Sequence, residues 1–137
     1  MEQLACSDGF NTTVFPDCDL ELAVNGVAGG IFPAGGQSCI SGSRLLIHKS
    51  IIKDFTECLV ATVKKARVGN PADPDTQIGP MANQLHYENV LKKISDAEQE
   101  GHNLVLDGRS ACRDEGYYIG PTIFSDVSTR SDLAQNE

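Results

Sequence analysis

Apolar residues recur at Leu20, Ala23, Val24, Val27, Ala28 and Ile31, a three-and-four spacing that puts all six on one face of a core-packed helix. Asp17 or Asp19 supplies the acceptor for its first turn, because a side-chain oxygen there satisfies an N–H that lacks a helical partner. Gly29-Gly30 and Pro33 weaken and end it. Before it, Thr12-Thr13-Val14-Phe15 is β-prone and bounded by Pro16, a short strand. After it, the apolar run from Arg44 to His48 predicts a buried strand.

Ile51, Ile52, Phe55, Leu59, Val63 and Ala66 form the buried stripe of a second helix. Ser50 is its expected cap, with Asp54 and Glu57 early and Lys64, Lys65 and Arg67 late, where they complement the helix dipole. Cys58 sits beside that stripe as a small core residue. Gly69 and Pro71 stop the helix, and the prolines from Asn70 to Pro80 enforce a loop. A third helix is expected from Asn83 to Glu100, with Tyr87, Val90, Leu91, Ile94 and Ala97 inward and Gly101 as stop. Asn103-Leu104-Val105-Leu106 reads as a strand before an Asp107-Gly108 turn. Ser110 to Glu115 is a polar loop with an exposed Cys112, and Tyr117 to Val127 is extended, its Pro121 suiting an edge or irregular strand. Strands alternating with helices make this an α/β chain, a mostly parallel sheet flanked by helices.

The 137 residues suffice for one domain with a real core. A net charge of −8 argues against a nucleic-acid surface, which needs clustered Lys and Arg. No apolar run approaches membrane-spanning length, and no basic-then-apolar signal segment stands at the start. The cysteines, at 6, 18, 39, 58 and 112, form neither a CxxC pair nor a zinc spacing, which suggests reduced thiols in a cytoplasmic setting.

Cys39 stands apart because it lies in Gly35-Gly36-Gln37-Ser38-Cys39-Ile40-Ser41-Gly42-Ser43-Arg44, too glycine-rich for a helix or strand interior. A thiol there is accessible and close to backbone N–H groups that stabilise a thiolate or an oxyanion. On spacing alone, a small buried residue is the commoner explanation. The run lacks the last glycine of a GxSxG elbow, and no Lys-Ser/Thr follows the glycine spacing from Gly30 to Gly35. His48, His86 and His102 are core or surface residues by default. A Cys39–His48 dyad has only nearness in sequence behind it.

Ile31-Phe32-Pro33-Ala34 with the cysteine run, Val68-Gly69-Asn70-Pro71-Ala72-Asp73-Pro74-Asp75-Thr76-Gln77-Ile78-Gly79-Pro80, and Gly116-Tyr117-Tyr118-Ile119-Gly120-Pro121-Thr122-Ile123-Phe124 resemble, in order and in register, three motifs of the aldehyde dehydrogenase superfamily. The resemblance runs from Thr13 onward and covers only part of that enzyme. It implies a partial catalytic domain over residues 13–137, behind an atypical segment at residues 1–12. It makes Cys39 the nucleophile that forms a thiohemiacetal with an aldehyde. Hydride then passes to NAD or NADP, and water releases the acid from the thioester. It makes the Cys39 N–H one half of an oxyanion hole whose other half, an asparagine, lies in the cofactor-binding half of the enzyme. It aligns Glu137 with the glutamate that bonds the nicotinamide ribose.

Where the family has a Glu-Leu-Gly-Gly-Lys-type motif with its general base, this chain has Ala5, and Ser7-Asp8-Gly9 replaces Gly-Gly-Lys. The expectation is a chain that binds no cofactor and is inactive alone. A non-catalytic module that self-associates as a homodimer or higher oligomer is the alternative, and residual esterase reactivity at Cys39 a third. Small aldehydes are substrates only of the parent enzyme.

Overall fold

A computed structural model describes residues 2–4 and 11–136. Three strands form one sheet in the order β1-β3-β2: β1 (Glu2–Leu4), β2 (Asn11–Val14) and β3 (Arg44–Ile47). The β2–β3 pair is parallel, with Val14 opposite Ile47, and β1 pairs antiparallel with β3. The crossover between β2 and β3 carries α1 (Leu20–Ile31), and α2 (Ile52–Val63) follows β3. The chain continues into α3 (Gln84–Gln99), then β4 (Asn103–Leu106) and β5 (Ile123–Ser125), an antiparallel pair, and closes with the short α4 (Asp132–Gln135). Among the described residues no helix is long and apolar enough to cross a membrane.

Two apolar clusters hold these elements together. Val14, Val24, Val27, Leu45, Ile47, Phe55, Leu59, Val63 and Ile123 form the first, between the three-stranded sheet and the α1/α2 layer. The second gathers Met81, Ile94, Ala97, Ile119, Phe124, Val127, Leu133 and Ala134 under α3 and α4. Ile123 and Phe124 are neighbours on β5 but belong to different clusters, because successive strand side chains point to opposite faces. β5 is therefore the wall common to both cores. Phe55 and Phe124 are almost wholly buried, and each stabilises by roughly 2–3 kcal/mol.

The helices follow the apolar periodicity, and their ends correct several expectations. Of the two candidate caps for α1, Asp19 is the one used: its Oδ1 accepts the Leu22 N–H at 2.9 Å. Gly29 and Gly30 lie inside α1 rather than ending it. Ser50 does not cap α2, which starts from Ile51 without a side-chain cap. The Ser50 hydroxyl and N–H both meet His48 Nδ1 instead, at 2.8 and 3.3 Å. Lys64, Lys65 and Arg67 fall beyond the last turn of α2, because the helix stops at Val63. Cys58 is exposed, not core, since the residues that pack α2 approach it from the Phe55–Leu59–Val63 side.

Asn83 caps α3 through the His86 N–H at 2.9 Å, and Gly101 leaves it with φ +85, a conformation open to glycine. Cys112 is half-buried rather than exposed and packs against the second cluster. The neighbouring Cys112 thiol, together with burial, pushes the Tyr87 hydroxyl above its ordinary value. Only Ile123–Ser125 of the extended C-terminal stretch is regular strand, with Pro121 outside it.

Candidate active site

The chain leaves α1 through a turn of 3-10 helix, Pro33–Gly36, and passes through the left-handed region at Ala34 (φ 55), Gly35 (φ 65) and Gly36 (φ 73). This reverses its direction and lifts the next residues off the first core. A tight turn follows, closed by the Ser41 N–H donating to the Ser38 carbonyl at 3.0 Å, with Cys39 and Ile40 at its head. Beyond it the Gly42 N–H returns to the Gly30 carbonyl at 3.4 Å, so the exit is tied to the helix that precedes the entry. Ser41 and Ser43 are buried while Cys39 and Ile40 are exposed. The loop thus presents the thiol outward on a fixed base. The Cys39 N–H has no acceptor among the described residues, as an oxyanion donor requires.

Cys39 faces a cavity of about 680 Å³. Gly35, Gly36, Gln37 and Ser38 share its wall, Ile78 and Met81 form its apolar floor, and His86, Asn89, Val90 and Lys93 border it from α3. Leu133 and Asn136 close it on the α4 side. Lys93 bonds Asp132 at 2.8 Å and thereby fastens α3 to α4. That bond, aided by Asn136, holds the Asp132 carboxyl below its ordinary range. Lys92 pairs with Asp96 at 2.6 Å, which pushes its ammonium up. Both cations at the rim are therefore already matched by carboxylates, and the wall is not an open anion site.

Of the residues singled out from sequence, Cys39 and His86 are placed at the cavity. His48 is not among the residues lining it and engages Ser50 instead, so the two members of the conceivable dyad are not brought together. His86 reaches the cavity from α3, and His102, mostly buried, contacts Glu100 Oε2 at 3.2 Å. Glu137 and Ala5 lie outside the described residues. The glycine-rich turn holds a thiol and not a phosphate cradle, and the described residues offer no glycine-rich strand–helix turn of the kind that binds a dinucleotide. Gln37, part of the cysteine motif, has no role legible in the sequence. Its side chain bonds both Ala34 and Ala82, and the signal available was an amide, able to donate and accept at once, two residues before the thiol.

Residues 9–137 match the aldehyde dehydrogenase family. The chain is 40% identical over 125 residues to hydroxyisobutyraldehyde dehydrogenase of Mycolicibacterium austroafricanum, covering 90% of this chain and 25% of that protein. It is 39% identical over 127 residues to betaine aldehyde dehydrogenase of Brucella anthropi, covering 90% and 26%. Among solved structures, NAD-dependent aldehyde dehydrogenase from Sinorhizobium meliloti superposes with a TM-score of 0.87 at 35% identity, over 94% of this chain and 25% of that one. Betaine aldehyde dehydrogenase of Staphylococcus aureus, solved with NAD+, gives 0.88 at 30% identity, over 96% and 26%. The chain spans about a quarter of the length of these relatives.

Proposed function

The chain belongs to the aldehyde dehydrogenase family, and on that premise we propose that it supplies the thiol-bearing part of NAD(P)-dependent oxidation of an aldehyde to a carboxylic acid. The observation that carries this reading is Cys39 at the head of a pinned turn, exposed to a cavity of about 680 Å³. The Cys39 sulfur, as thiolate, adds to the aldehyde carbon, and the carbonyl π pair moves to oxygen, giving the alkoxide of a thiohemiacetal. The Cys39 N–H is one donor to that oxygen; a donor of this kind lowers the barrier by about 3 kcal/mol. A nicotinamide cofactor would supply the hydride acceptor, and Glu137 would be the residue of this chain that contacts its ribose.

By themselves these 137 residues do not turn over. A three-quarter share of the relatives' length is missing from the match, and Ala5 stands where the resemblance requires a base. Purified chain incubated with aldehydes and NAD or NADP should produce no reduced nicotinamide; sustained production overturns the inactivity. Alkylation of Cys39 faster than of Cys58 supports the nucleophile assignment, and equal rates remove it.

The isolated chain is also expected to self-associate. β2 is an outer strand of its sheet, and Phe15, Leu22, Ile40 and Leu85 are exposed, which among the described residues leaves a backbone edge and apolar surface without cover. Sedimentation at high concentration tests this: a dimer agrees, a well-behaved monomer does not. The described cysteines are all free thiols, in keeping with a reducing, cytoplasmic setting.

A further inference from the structure

We propose that Gln37 is a positioning residue for Cys39, a two-armed clamp that fixes the cysteine turn against the segment leading into α3; this rests on Cys39 being the nucleophile. Gln37 Oε1 accepts the Ala82 N–H at 2.8 Å, across 45 residues of sequence, and Gln37 Nε2 donates to the Ala34 carbonyl at 2.8 Å. The far anchor is rigid: the adjacent Met81 N–H donates to the Tyr117 carbonyl at 2.7 Å, and Met81 is buried. The near anchor is strained, because Ala34 holds a positive φ of 55, which costs a residue with a Cβ free energy relative to glycine. The Ala34 carbonyl also receives the Gln37 N–H at 3.3 Å, so one residue pins it from backbone and side chain together.

Gly35 leaves room for this arrangement. A Cβ there would stand 3.2 Å from Gln37 Nε2 and 3.5 Å from Met81 Sδ, pressing on both. An exposed glutamine ordinarily gains little from protein partners, since water satisfies its amide equally well. Here donor and acceptor are committed to opposite sides of a strained reversal. The result is that the strand of chain entering the Ser38–Ser41 turn has one path, and the thiol two residues on leaves it in one direction. Sub-ångström control of a reacting atom matters to rate far more than the same bonds matter to stability.

The test uses the 137-residue chain as wild type, Gln37→Leu and Gln37→Glu, with alkylation by iodoacetamide read at Cys39 and Cys58 separately by mass spectrometry. In Gln37→Leu the Ala82 amide should exchange about tenfold faster, and the Cys39-to-Cys58 alkylation ratio should change by about threefold or more. In Gln37→Glu the Cys39 and Ala82 amide NMR signals should be displaced at neutral pH and return toward wild type as the carboxyl protonates, because a protonated carboxyl offers the same acceptor and donor. Unchanged Ala82 exchange in Gln37→Leu overturns the clamp. Freed Ala82 with an unchanged alkylation ratio overturns the positioning role and leaves the nucleophile reading intact. Should Gln37→Leu fail to fold, Gln37→Glu decides, and signals that do not return on acidification overturn the proposal. Wild-type Cys39 alkylated no faster than Cys58 removes the nucleophile reading and the proposal with it.

Discussion

Arg44 Nη1 donates to the Ala134 carbonyl at 3.2 Å, joining residues 90 positions apart in the chain. Arg44 opens β3 directly after the cysteine turn, and Ala134 is buried in α4, which Lys93 ties to α3 through Asp132. The bond therefore closes the structure around the cavity that Cys39 faces.

Replacing Arg44 by Met keeps the length of the side chain and removes its donors. The Arg44→Met chain should lose about 2 kcal/mol, the scale of a hydrogen bond involving a charged group. Denaturant titration measures this. The α4 amides should lose protection from exchange before those of α2 do, because α4 is only four residues long and has little packing of its own.

Gly108 and Gly120 touch backbone to backbone. A Cβ on Gly108 would sit 1.9 Å from the Gly120 oxygen and 2.5 Å from Thr122 Oγ1, while one on Gly120 would meet Ala111 Cβ at 3.3 Å. Gly108→Ala should destabilise by about 3 kcal/mol or more and Gly120→Ala by about 1 kcal/mol. Thermal melts of the two variants give the order, and equal melting temperatures would remove the close contact.

Ala34→Gly should raise stability, by up to about 1 kcal/mol, because relief of the left-handed conformation exceeds the extra backbone entropy of glycine in the unfolded chain. A lower melting temperature would show that the Ala34 methyl contributes more by contact than it costs in strain.

Asp107 accepts from Arg109 Nε at 2.9 Å and from the Arg109 N–H at 2.9 Å. The side-chain bond is the larger cause that holds its carboxyl below the ordinary 3.8, and the guanidinium is raised in turn, helped by Glu98. A depressed folded-state value means that stability is fully present above the unfolded value and is lost as pH falls through the folded one. Asp107→Asn should thus be less stable than wild type at neutral pH. The gap should close on acidification below 3.8, and stability curves from neutral to strongly acid pH measure it. The group is partly exposed, so salt should shrink the gap.

Thiol accessibility gives a direct check on the packing. Cys39 and Cys58 are exposed, whereas Cys18 and Cys112 are half-buried. Under native conditions a bulky maleimide should label the first two and reach Cys112 only after loosening of the Tyr87 contact. Tyr87→Phe should speed labelling of Cys112 with little effect on Cys18.

Much of this architecture was legible in the residues themselves. The stripes of α1, α2 and α3, Asp19 as one of two candidate caps, the Gly101 stop and the strands at Arg44 and Asn103 follow from local rules. Each depends on residues within a turn or two of one another, and periodicity of that range is written directly in the order of amino acids. The motifs that carry the family resemblance were equally visible, and they located Cys39.

What lay beyond reach was set by partners distant in sequence. Cys58 sits next to its stripe, yet α2 is covered from only one side, so the thiol stays in solvent. Cys112 occupies a polar stretch, yet Tyr87 and the second core reach over it. Ser50 has the chemistry of a cap, but His48 competes for it. The division of Ile123 and Phe124 between two cores, the bond from Arg44 to Ala134 and the two arms of Gln37 exist only once remote segments have met. Local order therefore determined which elements form and where the sulfur sits. Long-range packing decided which surfaces are covered and what the sulfur faces, because burial and hydrogen-bond partnership belong to pairs of segments and not to either segment alone.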